Sequence, residues 1–549
     1  MKRLFFHSSS SQTHIQRMGW ISCICVGIAV LLIVRCVDLM IFQGETLREM
    51  ADNNRFFTQT ILPNRGIITD RFGNILVANI PVYREAVQTV PVIHPTLIAT
   101  DSAHAFDLLL HDPQRLYQTQ SRVPQFSNTL SHVIGYTGVV DPNTTSDVAS
   151  LSEIVGKTGV EREFNDRLTG VAGDRTYEMS ANGKIIRTVD ETPPISGQDL
   201  TLSLDATLSA TAFNALNGRP GTVIATDIAT SQVLAMVSSP SFSKDTLVDS
   251  LHDPLTPLIN RSLHPYPPGS VFKMMVALAG LEEGTITKDS LILDDGQVKV
   301  GDAVFRNWFL RDFGRTEGNI TVVRALTSSN DVFFYKLAGQ VGPDAIAHMA
   351  SLFHFGETTG FELHEEETGL IPTPAWKEST IGEKWYLGDT YHMGIGQGDV
   401  LVTPLQINAM TAALARDGTW CIPTLLTQHA PICEEIPVHK ENVEIVNDGM
   451  VGACTAGGTG VPFFQWNSTA SDSAKVACKT GTAEHGSADA QGRRKTHAWF
   501  TMFYPRVNPK IAITVLLEST SDQPFLEGSA DAAPIAKAVW DNWRARYPQ

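Results

Sequence analysis

Hydrophobic and polar positions alternate along this chain in several distinct textures. From Met18 to Val34, 17 consecutive residues carry no charge. At about 1.5 Å per residue a helix of that length just crosses a hydrocarbon layer. The pattern continues it through Phe42, with Arg35 and Asp38 one turn apart on the same face. A second texture is extended: RGIITDRFGNILVA sets two strand-like runs about Asp70–Asn74, a hairpin turn. From Asp199 the texture changes again. DLTLSLD alternates as a strand, ATLSATAFNAL reads as a helix, and GTVIATDIATSQVLAMVSS reads as two strands about a turn. Near the end KIAITVLLE is a buried strand and AAPIAKAVWDNWRARY a helix. Strands bracketing a helical middle predict an α+β (α/β) domain, one sheet with helices packed on it. The main boundary falls near residue 200, giving a tail (1–17), an anchor (18–42), a mixed pedestal (43–200) and a large C-terminal domain (201–549). The segment from Asp101 to Thr158 is polar and irregular and has no legible role.

Charge refines the reading of the apolar run. No small-x-small cleavage site closes it, which favours a retained anchor over a signal peptide. Lys2, Arg3 and Arg17 precede it with no acid among them, whereas Arg48 and Arg55 after it are mixed with Glu45, Glu49 and Asp52. The positive-inside bias places the N-terminus in the cytoplasm and the bulk of the chain across a cytoplasmic membrane. Over the whole chain 42 Lys/Arg against 58 Asp/Glu give a net charge of −16. With no basic block, a nucleic-acid partner is disfavoured. Of seven cysteines, Cys23, Cys25 and Cys36 lie in or beside the span, which leaves Cys421, Cys433, Cys454 and Cys478 able to pair outside it. Cys421 and Cys433 flank a short segment, and the sequence leaves open whether they are bridged. No Cys/His cluster has zinc spacing, and His392 and His485 read as ordinary polar residues.

Three short patterns carry candidate chemistry: Ser-x-x-Lys, Ser-x-Asn and Lys-Thr-Gly. Each occurs twice, so order and context decide. Ser270-Val-Phe-Lys273 follows Pro267-Pro268-Gly269, a turn that delivers the chain into a helix. Through Leu281 that helix is apolar on every side except Lys273, so it belongs in a core. A lysine there is desolvated, its pKa falls, and the free amine can take a proton from Ser270 one turn away. Ser241–Lys244, the rival copy, sits in a polar turn. Ser328-Ser329-Asn330 lies 58 residues after Ser270, between two helix-like runs, where Ser328 and Asn330 could relay a proton and hold a substrate amide. Ser180–Asn182 is its rival. Lys479-Thr480-Gly481-Thr482 falls in the strand-like AKVACKTGTA, and Gly481 suits an edge that another backbone, such as a substrate peptide, approaches. Strict alternation would put Lys479 and Thr482 on opposite faces. The rival Lys157-Thr158-Gly159 precedes every Ser-x-x-Lys and runs into a helical Val-Glu-Arg-Glu.

In this order, Ser270, Lys273, Ser328, Asn330 and Lys479–Thr482 resemble the motifs of the penicillin-recognising serine transferases. Asn54-Arg55, Arg65–Arg71 and the glycines and Glu161 of GKTGVEREFNDRLTG resemble the linker signature of class B penicillin-binding proteins. Pro374-Ala-Trp376-Lys377, Trp385–Thr390, Gly394–Gly398 and Thr403–Gln406 resemble the elongation branch, penicillin-binding protein 2, more than the division-specific branch. Ser243-Lys244-Asp245 departs from the family's Asp-Pro-Asn after the first hairpin.

The resemblance implies a β-lactamase/transpeptidase-like domain with a five-stranded sheet, and a peptidoglycan D,D-transpeptidase working through an acyl-serine. It implies Ser270 as nucleophile, Lys273 as base, and Ser328 and Lys479 as proton shuttles. Asn330 would orient the acyl amide, Thr480, Gly481 and Thr482 would bind substrate, and no cofactor or metal would be needed. Implied partners are stem peptides, β-lactams, the cytoplasmic membrane, elongation-complex proteins and a glycosyltransferase of the shape–elongation–division–sporulation (SEDS) family. The competing readings are a septal transpeptidase and a non-catalytic penicillin-sensing scaffold.

Overall fold

The computed structural model describes residues 11–87, 96–111, 115–139, 154–180, 185–428 and 430–547. Lys2, Arg3, Asn182 and parts of the 101–158 segment lie outside these. Helix α1 (Ser11–Val37) is followed without a break by a wider turn over Asp38–Phe42. Arg17–Phe42 spans 26 residues, and its most apolar 18-residue stretch has a mean hydropathy of 2.6 with none of it buried, which fits a single-pass membrane anchor. Arg35 and Asp38 pair across one turn, as their spacing implies.

Among the described residues the pedestal holds a five-stranded sheet, a three-stranded sheet and a two-stranded ribbon; the five-stranded one positions the domain boundary. Ile68–Thr69 and Ile75–Val87 form the hairpin read from the sequence, and Asp70 closes its turn by accepting from the Phe72 and Asn74 backbone N–H groups. Thr96–Thr100 and Leu116–Pro124 pair with the long strand of that hairpin. Leu200–Thr201 then pairs in parallel with Ile68–Thr69, so the chain passes through the pedestal sheet as it leaves. Beneath this sheet Glu161 bridges Arg65 (2.7 Å) and Arg122 (2.6 Å), all three buried. The Gly156 backbone lies so close that a Cβ there would stand 1.8 Å from the Glu161 carbonyl oxygen. One apolar cluster crosses the boundary near residue 200, joining Ile68, Leu76 and Leu130 to Leu202, Met236, Leu405 and Leu425.

The C-terminal domain is built on five antiparallel strands: β1 (Gly221–Asp227), β2 (Val233–Ser239), β3 (Ala477–His485), β4 (Lys495–Tyr504) and β5 (Ile511–Leu517). Their order is β2-β1-β5-β4-β3, which leaves β3 at an edge. On β5, Ile511, Ile513, Val515 and Leu517 face one layer and Ala512 and Leu516 the other. The first layer holds α2 (Ala206–Leu216) and a C-terminal helix, Ala533–Arg546. The second is centred on α3 (Lys273–Glu282), with α4 (Val322–Ser328), α5 (Asp331–Val341), α6 (Pro404–Ala415) and α7 (Lys440–Ala453) around it. Helices on both faces explain why these strands are apolar almost throughout.

Both remaining cysteine pairs are disulfides. Cys421–Cys433, which the sequence leaves open, closes a two-stranded ribbon, and Cys454–Cys478 ties the end of α7 to β3 one residue before Lys479.

Candidate active site

Ser270 lies in a 3-10 turn, Gly269–Phe272, that runs directly into α3. Gly269 starts the turn at φ +55°, and a Cβ on it would stand 2.6 Å from the Thr482 carbonyl oxygen. Only glycine accepts both that dihedral and that approach, and the result seats the Ser270 turn against the β3 edge. Gly481 explains itself the same way. A Cβ there would meet Trp499 Cβ at 3.0 Å, the Pro268 carbonyl oxygen at 3.1 Å and Val271 Cγ1 at 3.1 Å. The backbone that presses on this glycine is therefore the protein's own Ser270 turn, whereas the sequence expectation was a substrate backbone.

Behind the turn α3 is buried from Lys273 to Leu281. Lys273 is wholly inaccessible, and its Nζ donates to Asp331 Oδ1 at 2.6 Å and to the Ser329 carbonyl at 2.8 Å. Burial pushes its pKa down, and the charge and hydrogen bond of Asp331 oppose that shift. Lys479, equally inaccessible, reaches in from β3 and donates to Ser329 Oγ at 2.8 Å and to the Thr480 carbonyl at 2.9 Å. Its pKa is held well below the usual lysine value, first by burial and then by repulsion from Lys273, with Asp331 opposing. Lys273 Nζ also lies 3.3 Å from Ser329 Oγ. One hydroxyl thus joins both amines.

That hydroxyl belongs to Ser329, one residue beyond the serine singled out by the Ser-x-Asn pattern. α4 remains helical through Ser328, and this keeps the Ser328 side chain on the helix flank, where its Oγ donates to Glu317 Oε2 at 2.6 Å. Ser329 then takes the left-handed conformation, φ +56°, as the cap of α4, and this swings its side chain between the lysines. Asn330 is equally committed. Its Oδ1 accepts from Phe333 N at 2.9 Å as the N-cap of α5, and its Nδ2 donates to Asp294 Oδ2 (2.8 Å) and Glu317 Oε2 (2.9 Å). At 1 % exposure, both of its amide hydrogens are taken by these carboxylates. The groups turned toward the lysines are those of Ser329 and Asp331. An acid just after the motif looks in the sequence like an ordinary helix-start residue, and only its pairing with Lys273 marks it out.

Along the β3 edge Thr482 is exposed and Thr480 is buried, with Thr480 Oγ1 donating to Thr459 Oγ1 at 2.7 Å. Lys479 and Thr482 do occupy opposite faces of the strand, as alternation requires. The long, buried lysine side chain brings its amine to Ser329, and the Thr482 backbone lies against the Ser270 turn. Farther along, the Gln397 amide, oriented to satisfy both groups, pairs with the Glu484 N–H and carbonyl at 3.1 Å each. The unpaired stretch of edge therefore ends before Glu484. Of the rival motifs, Ser241–Lys244 lies in a loop and turn after β2, and Lys157–Gly159 leads into a short pedestal helix. Among the described residues, no group of three or more His, Cys, Asp or Glu is placed to hold a metal ion.

Comparison with known proteins agrees with this geometry. Residues 221–541 match the penicillin-binding protein transpeptidase domain, and residues 109–202 match the penicillin-binding protein dimerisation domain. The chain is 30 % identical to the peptidoglycan D,D-transpeptidase MrdA of Escherichia coli strain K12, covering 90 % of this chain and 89 % of that protein. It superposes with TM-score 0.76 and 26 % identity on penicillin-binding protein 2 of Helicobacter pylori, solved in complex with MreC, over 89 % of this chain and 99 % of that one. A chain of a peptidoglycan synthase complex that coordinates polymerization and crosslinking aligns with TM-score 0.73 and 27 % identity, over 97 % and 99 % of the two chains. The chain belongs to the class B penicillin-binding proteins, the serine-type D,D-transpeptidases of peptidoglycan, on the elongation branch of penicillin-binding protein 2.

Proposed function

We propose that Ser270 attacks the carbonyl between the two terminal D-alanines of a stem peptide, with the neutral Lys273 amine taking its proton. The observation that carries this reading is the meeting of two wholly buried amines on one hydroxyl behind the Ser270 turn. A neutral Lys273 has two hydrogens, matched by Asp331 Oδ1 and the Ser329 carbonyl, and one lone pair left for the serine. Backbone N–H groups of Ser270 and Thr482 receive the negative charge on the carbonyl oxygen, each contributing about 3 kcal/mol. As the tetrahedral adduct collapses, the C–N bond breaks and the leaving D-alanine amine takes a proton from Ser329, resupplied from Lys479. The acyl-serine is then attacked by an amine of a second stem peptide, and the proton path runs in reverse. Thr480 and Thr482 bind the terminal carboxylate, and Gly481 lets the nucleophile turn lie against the edge. A β-lactam follows the first half of this path and stops at the acyl-serine.

Ser329 thereby takes the shuttle role expected of Ser328, and Asp331 supports Lys273. Mapping a penicillin adduct by mass spectrometry tests the nucleophile: label on Ser270 that disappears in Ser270→Ala supports it, and label persisting in that variant refutes it. For the shuttle, Ser329→Ala should lose about 10²-fold or more in acylation rate and Ser328→Ala only several-fold.

The same reading places the N-terminus in the cytoplasm and the catalytic domain in the periplasmic space. Lys2, Arg3 and Arg17 support it, as do two disulfides that suit an oxidising compartment. Protease added to spheroplasts should digest residues 43–549 and spare the tail. A pedestal over 43–200 and a catalytic domain over 201–549 then stand outside the membrane. A SEDS-family glycosyltransferase and elongation-complex proteins are the expected partners, supported by the relatives found with MreC and in a synthase complex.

A further inference from the structure

Between α3 and α4 the chain makes an excursion, Ile292–Ile320, that the catalytic reading leaves without a task. Its two ends pair, Ile292–Asp294 against Gly318–Ile320, and a hairpin (Gln297–Val300 with Ala303–Arg306) and a short helix (Trp308–Phe313) lie between them. Two carboxylates stand at the paired ends. Asp294, 1 % exposed, accepts from Gly296 N (2.9 Å), Asn307 Nδ2 (3.0 Å), Glu317 N (3.0 Å) and Asn330 Nδ2 (2.8 Å). Glu317 accepts from Ser328 Oγ (2.6 Å) and Asn330 Nδ2 (2.9 Å) with one oxygen, and from Arg324 Nε (2.8 Å) with the other. The same excursion grips the motif from above. Trp308 Nε1 donates to the Ser328 carbonyl and Trp308 N to Asp331 Oδ2, each at 3.2 Å.

These contacts fall on Ser328, Asn330 and Asp331, the residues on either side of Ser329, and none falls on Ser329 itself. Asn330 gives each acid one of its two amide hydrogens, and two carboxylates brought onto one amide nitrogen repel each other, so the arrangement persists where it fixes a conformation. The conformation at its centre is the left-handed Ser329, which a serine adopts only when its neighbours impose it. We infer that Asp294 and Glu317 are positioning residues that, through Asn330 and Ser328, hold Ser329 in the geometry that puts its hydroxyl between Lys479 and Lys273. The inference rests on the shuttle reading of Ser329, and the test separates the two.

Full-length Glu317→Gln, Asp294→Asn and Ser329→Ala proteins in detergent are titrated with a fluorescent penicillin across pH, with the folded fraction counted by thermal melting. Glutamine keeps the size of Glu317 but turns a donor toward Asn330 or Arg324. Loss of register at Ser329 should lower the acylation rate of folded Glu317→Gln by about 10–100-fold. It should also move the midpoint of the acid limb, because both lysines lose part of their hydrogen bonding. Asp294→Asn should behave alike. An unchanged rate overturns the inference, and so does a loss with the midpoint unmoved, which a merely structural role would give. If neither variant folds, Ser328→Ala, which removes one tether alone, is read by the same two criteria. If Ser329→Ala reacts as wild type, the shuttle reading fails. If Ser329→Ala is inactive while the Asp294 and Glu317 variants react normally, only the positioning inference fails.

Discussion

In the pedestal, Arg65 and Arg122 clamp Glu161; in the cleft, Lys273 and Lys479 lie in the field of Asp331. Each cluster sets two buried cations against one carboxylate, and each leaves one positive charge uncompensated. They differ in what the cations can do about it. Burial pushes the Arg122 pKa down, against the attraction of Glu161, yet a guanidinium keeps its proton at any physiological pH. It must be satisfied in place, and Arg122 also donates to the Gly66 carbonyl and Asn79 Oδ1. A lysine can give up its proton. Both cleft lysines are shifted in that direction by the same burial that the pedestal tolerates with arginines. Residue choice at equal burial separates a structural clasp from a reactive site.

The sharpest way to break this contrast is to make the cleft like the pedestal. Lys273→Arg keeps the charge and removes the base, and penicillin acylation should fall by about 10²–10⁴-fold, measured as a second-order rate. Next comes the clasp. Glu161→Gln leaves two buried guanidiniums without their carboxylate and should lower the unfolding free energy by about 3–5 kcal/mol, read from denaturant unfolding. The acylation pH profile of the folded protein should not move. A smaller effect follows from pH. The folded lysines have depressed pKa values, so the unfolded chain binds more protons than the folded one between those values and about 10.4. Unfolding free energy should therefore climb as pH rises through that window, and acylation should rise as the Lys273 amine becomes free. Replacing both lysines by methionine should flatten the slope, whereas the arginine clasp contributes none. Smallest is Arg122→Lys, which keeps the charge but loses the forked donors, and should cost about 1–2 kcal/mol in the same unfolding measurement.

Much of this was legible in the chain because local pattern and tertiary structure agree. A helix apolar on every side with one lysine had to be a core helix with a perturbed amine, and the alternation around KTGT had to be a strand. Ser328 and Ser329 show where legibility stops. The run Ser328-Ser329-Asn330-Asp331 contains a Ser-x-Asn and a Ser-x-Asp overlapping by two residues, and both fit a helix junction. Which serine faces the lysines depends on where α4 unwinds, and that is set by Asp294 and Glu317, dozens and about ten residues upstream, through contacts no local pattern records. The asparagine offered one usable signal: Asn330 as N-cap of α5 requires a break in helix geometry just before it, at Ser329. The Cys454–Cys478 bridge was hidden for the same reason, since α7 and β3 meet only in the folded domain.

The contrast turns on Lys273 working as a free base whose charged form is favoured chiefly by Asp331. Penicillin acylation rate against pH, compared between the wild type and Asp331→Asn, tests this most directly. Without the carboxylate the Lys273 ammonium loses its partner, so the midpoint of the acid limb should move to lower pH, even if the maximal rate falls. A midpoint that stays in place or moves to higher pH would contradict the account.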